Sequence, residues 1–288
     1  MNSPIQRTWH ARDQSLDLGA RPLLMGIVNV TPDSFSDGGD FLDPDRAIAH
    51  GQRLIAEGAD VLDIGGESTR PGAQPVDATE ELRRVLPVIR GLARSGNPPV
   101  SIDTRHPEVA AAAVDAGASI INDIQANRTD PAMWHVVRDT RAGYVCMHMQ
   151  GDPASMQKAP QYANVTTEVL AFFQDRLEQL ALAGVDPNRV ILDPGIGFGK
   201  TSAHNLELLR NLRDFTRLPH AVLLGISRKS FLGKITGAGT LDRLPACLAC
   251  TVWAAQQGVQ LFRTHDVAPT HQALQILGAI QSGPPDIQ

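Results

Sequence analysis

The chain has 288 residues, 42% hydrophobic and 20% charged, close to an ordinary globular protein and far from disordered or collagen-like chains. Its 31 acidic residues outnumber 26 basic ones, giving a formal net charge of −5, which argues against a general nucleic-acid binder with a basic footprint. Aromatic residues make up only 5%, so the core must be built from Ala, Val, Ile and Leu, a composition suited to small-residue helices on buried parallel strands.

Residues 1–20 carry neither the apolar core of a signal peptide nor a transit-peptide character, and read as a short N-terminal extension. The first strand is expected at 23–30 (LLMGIVNV). After a Gly- and Asp-rich stretch at 31–42, Asp43-Pro44 marks a helix start, an N-cap with proline at the first helical position. A second strand at 61–65 (VLDIG) leads into another long connection, 66–78, and then into a helix marked by Leu82, Val85, Leu86, Ile89 and Leu92. Strands follow at 99–104 and 120–124, a helix start at Asp130-Pro131, and a strand at 144–149. Val169, Phe172, Phe173, Leu177 and Leu180 define the next helix, followed by strands at 190–195 and 221–227. The uncharged run between Arg243 and Arg263 contains Pro245, Gln256, Gln257, Gly258 and Gln260; it reads as a buried helix entering a strand at 261–266, not as a membrane span. Gly58, Gly117, Gly184 and Gly258 stand where helices should stop.

Most of these strands are continuously apolar, as in sheets buried on both faces. Eightfold alternation of strand and helix predicts a single α/β domain over 21–288, a (β/α)8 TIM barrel, whose usual size is about 250 residues. A doubly wound open sheet is the alternative. Three cysteines, Cys146, Cys247 and Cys250, are too few for a disulfide framework and fit a reducing cytoplasm.

In such a barrel the chemistry lies at the C-terminal ends of the strands. Every expected strand there carries or leads to polar groups: Asn29; Glu67, Thr69 and Arg70; Asp103; Asn122 and Asp123; His148; Asp193; Ser227, Arg228 and Lys229; and Arg263, His265 and Asp266. Asp103, Asn122 and Asp193 suit a flat, nitrogen-rich ring, because a carboxylate holds an amino-amidine edge through paired hydrogen bonds. Arg70, Lys229, Arg263 and His265 suit phosphate. The long connections 31–42 and 66–78 have the length of functional lids.

The order and content of these strand ends resemble the dihydropteroate synthases, pterin-binding barrel enzymes of folate biosynthesis. The matching stretches are 26–39 (GIVNVTPDSFSDGG), 63–72 (DIGGESTRPG), 101–104 (SIDT), 121–123 (IND), 147–151 (MHMQG), 193–200 (DPGIGFGK), 227–230 (SRKS) and 263–267 (RTHDV). The resemblance covers roughly residues 21–280 and implies condensation of 6-hydroxymethyl-7,8-dihydropterin pyrophosphate with p-aminobenzoate, releasing pyrophosphate. It implies pterin contacts from Asp103, Asn122, Ile124, Met147, Asp193 and Lys229, and pyrophosphate contacts from Asn29, Arg70, Arg263 and His265. Phe35, Thr69, Pro71, Phe198 and Ser230 would frame the p-aminobenzoate pocket, which sulfonamides mimic as competitive inhibitors. Mg²⁺ would bridge pyrophosphate oxygens beside Asn29, and Lys229, Arg70, Arg263 and Asp103 would carry the catalysis. A homodimer is implied, with the apolar helices near 245–282 as its interface; neither a nucleic acid nor a membrane is an expected partner.

Other readings remain open on the sequence. A pterin-binding methyltransferase would share the acceptor cluster but has little use for the cationic rim; a non-catalytic pterin-binding paralogue would not need Arg70, Lys229 and Arg263. Gly195-x-Gly197-x-Gly199-Lys200-Thr201 resembles a phosphate-binding loop but has Pro194 where the first glycine belongs. Cys247 and Cys250 read as buried packing. His148 takes no assigned role, and His10, His50, His106, His135, His204, His220 and His271 read as surface or capping residues.

Overall fold

The structure is a computed structural model describing residues 7–31, 43–67, 76–126, 130–152 and 155–282. An antiparallel hairpin, β1 (Thr8–Ala11) and β2 (Gln14–Asp17), precedes eight parallel strands. These are β3 (Leu23–Asn29), β4 (Val61–Gly65), β5 (Val100–Asp103), β6 (Ile120–Asp123), β7 (Gly143–Met147), β8 (Val190–Asp193), β9 (Leu223–Leu224) and β10 (Leu261–Thr264). The sheet order is β8-β7-β6-β5-β4-β3-β10-β9. The remaining gap closes through a parallel bridge between Leu192 and Val222 and a 3.0 Å bond from the Leu192 N–H to the Ala221 carbonyl. The eight-stranded barrel expected from the sequence is thus the observed architecture.

Helices cover the outer face. Before β9 they are α1 (Pro44–Ala56), α2 (Ala78–Leu92), α3 (Pro107–Asp115), α4 (Ala132–Thr140), α5 (Val165–Leu182), α6 (Ser202–Arg210) and α7 (Leu212–Thr216). After β9 come α8 (Ser230–Thr236), α9 (Leu244–Gln256) and, beyond β10, α10 (Val267–Ser282). Asp43 caps α1 by accepting the Asp45 and Arg46 N–H groups, as its position before Pro44 predicts. The α4 start lies one residue later than expected: Pro131 is the N-cap, and Asp130 accepts the Ala132 N–H at 2.9 Å. The connections after β8 and β9 each hold two helices where one was expected. Gly58, Gly117, Gly184 and Gly258 all adopt positive φ behind their helices. Among the described residues, no helix is long and apolar enough to cross a membrane.

Alternation along the strands sets up the site. Val61, Ile120, Val145, Ile191 and Leu261 join one apolar cluster with Trp9, Ala11 and Leu18. Two residues further along the same strands, on the same face by the period-2 rule, stand Asp63, Asn122, Met147, Asp193 and Arg263. The interior therefore changes from an apolar layer to a predominantly polar one over a single pleat. The hairpin seats Trp9 in the lower layer, where its indole N–H donates to the Arg189 carbonyl at 2.8 Å. That contact closes the end of the barrel remote from the polar layer.

Candidate active site

The polar layer is assembled around one carboxylate. Asp63, fully buried, accepts the Arg263 Nε–H at 2.6 Å and the Asn122 amide at 3.1 Å, both on Oδ2. Arg263 turns its Nη2 to Asp103 Oδ2 at 2.5 Å. Asp103 and Asn122 are in turn register neighbours on β5 and β6. Asp103 Oδ1 is buried and has no hydrogen-bond partner among the described residues.

Burial raises the Asp103 carboxyl above its ordinary range, against the opposing charge of Arg263. Burial by itself would lower the Arg263 guanidinium, but Asp63 and Asp103 outweigh it and hold the arginine firmly protonated.

Asp193 ends β8 and is raised by burial, partly offset by the Gly195 N–H, which donates to Oδ1 at 2.8 Å. The following loop is held by glycines in backbone conformations that other residues rarely adopt. At Gly195 φ is +68°, and a Cβ would lie 1.9 Å from the His148 carbonyl oxygen. At Gly197 φ is +84°, and a Cβ would press on Lys229 Cδ at 3.0 Å. This loop carries Phe198, whose ring centroid lies 3.9 Å from Lys229 Nζ, a cation–π contact. Burial lowers the Lys229 ammonium, with Asp193 pulling it back up. Phe198, Ile124 and Met147 share a small apolar cluster with Met149 and Met156 beside this polar layer.

Lys200 does not form a phosphate loop. Its buried ammonium sits 2.9 Å from His148 Nδ1 and 3.0 Å from the Phe198 carbonyl, and Thr201 caps α6. Burial and then Lys200 push the His148 imidazole down to about 2, so the ring is neutral and Nδ1 accepts. Burial lowers Lys200 to about 7, with Asp193 opposing. His148 thus anchors the glycine loop.

On the rim, Ser227 Oγ and His265 Nδ1 pair at 2.9 Å, and Arg228 holds Asp266 at 2.7 Å. Ser230 is exposed at the first turn of α8, and Asn29 is half-buried at the end of β3. Asp123 is occupied by the Tyr144 hydroxyl at 2.8 Å and the Gln125 N–H at 2.9 Å. His204 completes the α6 capping box, whereas His220, expected at the surface or in a cap, is buried 3.4 Å from the Val190 carbonyl. Cys247 is buried and receives the Arg228 N–H on Sγ, and both it and Cys250 are free thiols. Phe35, Thr69, Arg70 and Pro71 lie outside the described residues.

Sequence reading named Asp103, Asn122, Asp193, Lys229 and Arg263 but missed Asp63. Its signal was present: a charged residue inside the apolar strand VLDIG is buried, and a buried charge needs a partner. Met149 and Met156 were also missed, because thioethers carry no polar signature.

The protein-family model described as pterin binding enzyme matches residues 25–265. Dihydropteroate synthase from Escherichia coli is 43% identical over 272 residues, 94% of this chain and 96% of that one. The Xanthomonas albilineans dihydropteroate synthase, solved with 4-aminobenzoic acid, is 48% identical with a TM-score of 0.90, covering 97% of this chain and 100% of that one. The Yersinia pestis enzyme, solved in a sulfonamide drug complex, is 43% identical with a TM-score of 0.89, covering 96% of this chain and 100% of that one. With the fold, its strand-end residues and these likenesses in agreement, the chain belongs to the pterin binding enzyme family and, within it, to the dihydropteroate synthases.

Proposed function

We propose that this barrel joins 6-hydroxymethyl-7,8-dihydropterin pyrophosphate to p-aminobenzoate, releasing pyrophosphate and 7,8-dihydropteroate. The observation that carries the substrate assignment is the polar layer itself: a buried acceptor on Asp103, without a hydrogen-bond partner among the described residues, set beside Asn122 and Arg263. Asp103, Asn122 and Asp193 meet the hydrogen-bonding edge of the pterin, while Ile124, Met147 and Phe198 line its faces. Lys229 lies between Phe198 and the carboxylates, within reach of both ring and rim. Arg263 and His265, with Asn29 and Arg70, receive the pyrophosphate; Phe35, Thr69, Pro71 and Ser230 with Phe198 take the p-aminobenzoate, and sulfonamides compete there.

No covalent nucleophile is needed. The methylene–oxygen bond breaks with its electron pair leaving on pyrophosphate, the arylamine nitrogen attacks the resulting pterin cation, and its proton passes to water. The ionised carboxylates stabilise the cation and the arginines the leaving group, so catalysis is electrostatic and positional.

The donor set fits a metal that arrives with the substrate. Among the described residues no group of three or more His, Cys, Asp and Glu could hold a metal ion unaided. A neutral amide oxygen at Asn29 beside pyrophosphate oxygens suits Mg²⁺, which binds through few protein ligands, substrate phosphates and water. When bound, it would neutralise charge on the leaving pyrophosphate.

The enzyme acts in the cytoplasm as a homodimer through α9 and α10, which pack together and leave Trp253, Ile276 and Ile280 exposed. The reaction is tested by incubating purified protein with both substrates and Mg²⁺ and measuring pyrophosphate and dihydropteroate. Turnover is expected from the native chain. Asp193→Ala should lose pterin affinity at least tenfold in calorimetry; an unaltered affinity would contradict the ring assignment, and a native chain that binds pterin without turnover would favour the non-catalytic alternative.

A further inference from the structure

We propose that Asp63 is a positioning residue of this reaction: from beneath the site it fixes Arg263 and Asn122 to a single carboxylate oxygen, so that the ring-binding and anion-binding halves of the site share one geometry. This rests on the activity proposed above.

Asn122, Asp63, Arg263 and Asp103 form a continuous polar chain across β6, β4, β10 and β5, with contacts of 3.1, 2.6 and 2.5 Å. Asp103 and Asn122 are also register neighbours on adjoining strands, so the two ends of the chain of contacts lie side by side. Through it, the substrate-facing side chains on three strands are set by one buried residue on a fourth. Arg263 commits Nε to Asp63 and Nη2 to Asp103, and neither carboxylate engages its Nη1, the nitrogen that remains for a substrate anion.

Stability alone does not account for Asp63. Its Oδ1 is buried with no hydrogen-bond partner among the described residues. Leaving such an acceptor unpaired is destabilising, and a buried ion pair is in general poorly stabilising compared with apolar packing. The chain nevertheless places a carboxylate directly above Val61, in the strand's apolar run. What this arrangement supplies is orientation: a guanidinium forked between two carboxylates cannot rotate about its long side chain.

The isosteric Asp63→Asn tests this in the intact protein. Asp103 lies in the field of Asp63, Glu67, Lys229 and Arg263, so loss of the Asp63 charge removes a repulsion that hinders its ionisation. The expected result is a fall of tenfold or more in kcat/KM for the pterin pyrophosphate, with KM for p-aminobenzoate within twofold of the native value. The acid limb of the pterin kcat/KM profile should also move to lower pH. A native kcat/KM would overturn the proposal, and so would a uniform loss at every pH with the limb unmoved, the pattern of a merely structural residue. Should the variant fail to fold, nitrogen-15 arginine spectra of the native chain decide instead. One Nε–H, missing in Arg263→Lys, should exchange slowly before and after pterin binds; rapid exchange refutes the anchoring. A native chain without turnover fails the activity reading, whereas an active native chain with an indifferent Asp63→Asn fails this inference alone.

Discussion

Glu81 shows how much chemistry a single residue can hide in an apolar stripe. On α2 the buried side chains are Glu81, Val85, Val88, Ile89 and Leu92, while Leu82 and Leu86, which the periodicity places in the stripe, are only half-buried. Both Glu81 carboxyl oxygens are buried, beside the Thr104 hydroxyl. Burial, opposed by Thr104 and reinforced by Glu67 and Asp103, raises this carboxyl from 4.5 to about 8. The folded state therefore holds a proton that the unfolded state has released, and stability contributed by Glu81 falls as pH rises from about 4.5 to about 8. The slope reaches about 1.4 kcal/mol per pH unit. Urea midpoints of Glu81→Gln should accordingly lose much of the decline that the native protein shows between pH 5 and 8; parallel curves would show that Glu81 is ionised in the fold. Glu81 and Asp63 escaped sequence reading for one reason. Attention to strand ends and amphipathic spacing passes over a charged residue lying within an apolar strand or stripe, although such a residue is itself a sign of a buried charge.

At the scale of elements, the glycine loop after β8 determines whether Asp193, Phe198 and Lys229 meet. Gly195→Ala would force a side chain into both a left-handed backbone and the His148 carbonyl oxygen. A cost of at least about 2 kcal/mol is expected, with weakened pterin binding because the displaced backbone takes the residue-195 N–H away from Asp193. Gly278→Ala is the matched control: in α10 an added Cβ meets nothing within 4 Å, so melting temperature should hold or rise. Equal melting temperatures of the two variants would refute the account of the loop. All eight barrel strands were legible from their apolar runs, because parallel strands buried on both faces have a composition of their own. Their lengths were less so. Residues 221–227 read as one strand, yet only Leu223–Leu224 form it: Ala221 and Val222 turn to Leu192 instead, and the segment departs towards His265 through Ser227, with Arg228 in the left-handed region. The hairpin of β1 and β2 left no signal, since four-residue strands are too short for a periodicity to register.

For the molecule as a whole, low aromatic content and a net charge of −5 describe averages that the fold then segregates. The cations Arg263, Lys229 and Lys200 converge on the carboxylate layer although the chain is globally acidic. On the opposite side of the question of solubility, Trp253, Ile276 and Ile280 remain 46%, 63% and 76% exposed on α9 and α10. Sedimentation equilibrium should therefore give twice the chain mass of 31.0 kDa, and Ile276→Asp combined with Ile280→Asp should shift the protein to the monomer. A native monomer would sink the dimer. The bond between Trp9 and the Arg189 carbonyl has a consequence for the order of events during synthesis. It joins positions 180 residues apart, so the β1–β2 hairpin cannot complete its seating until the segment leading into β8 has been made. Trp9 is made 180 residues ahead of its acceptor, and through that interval its indole travels with the nascent chain without this partner.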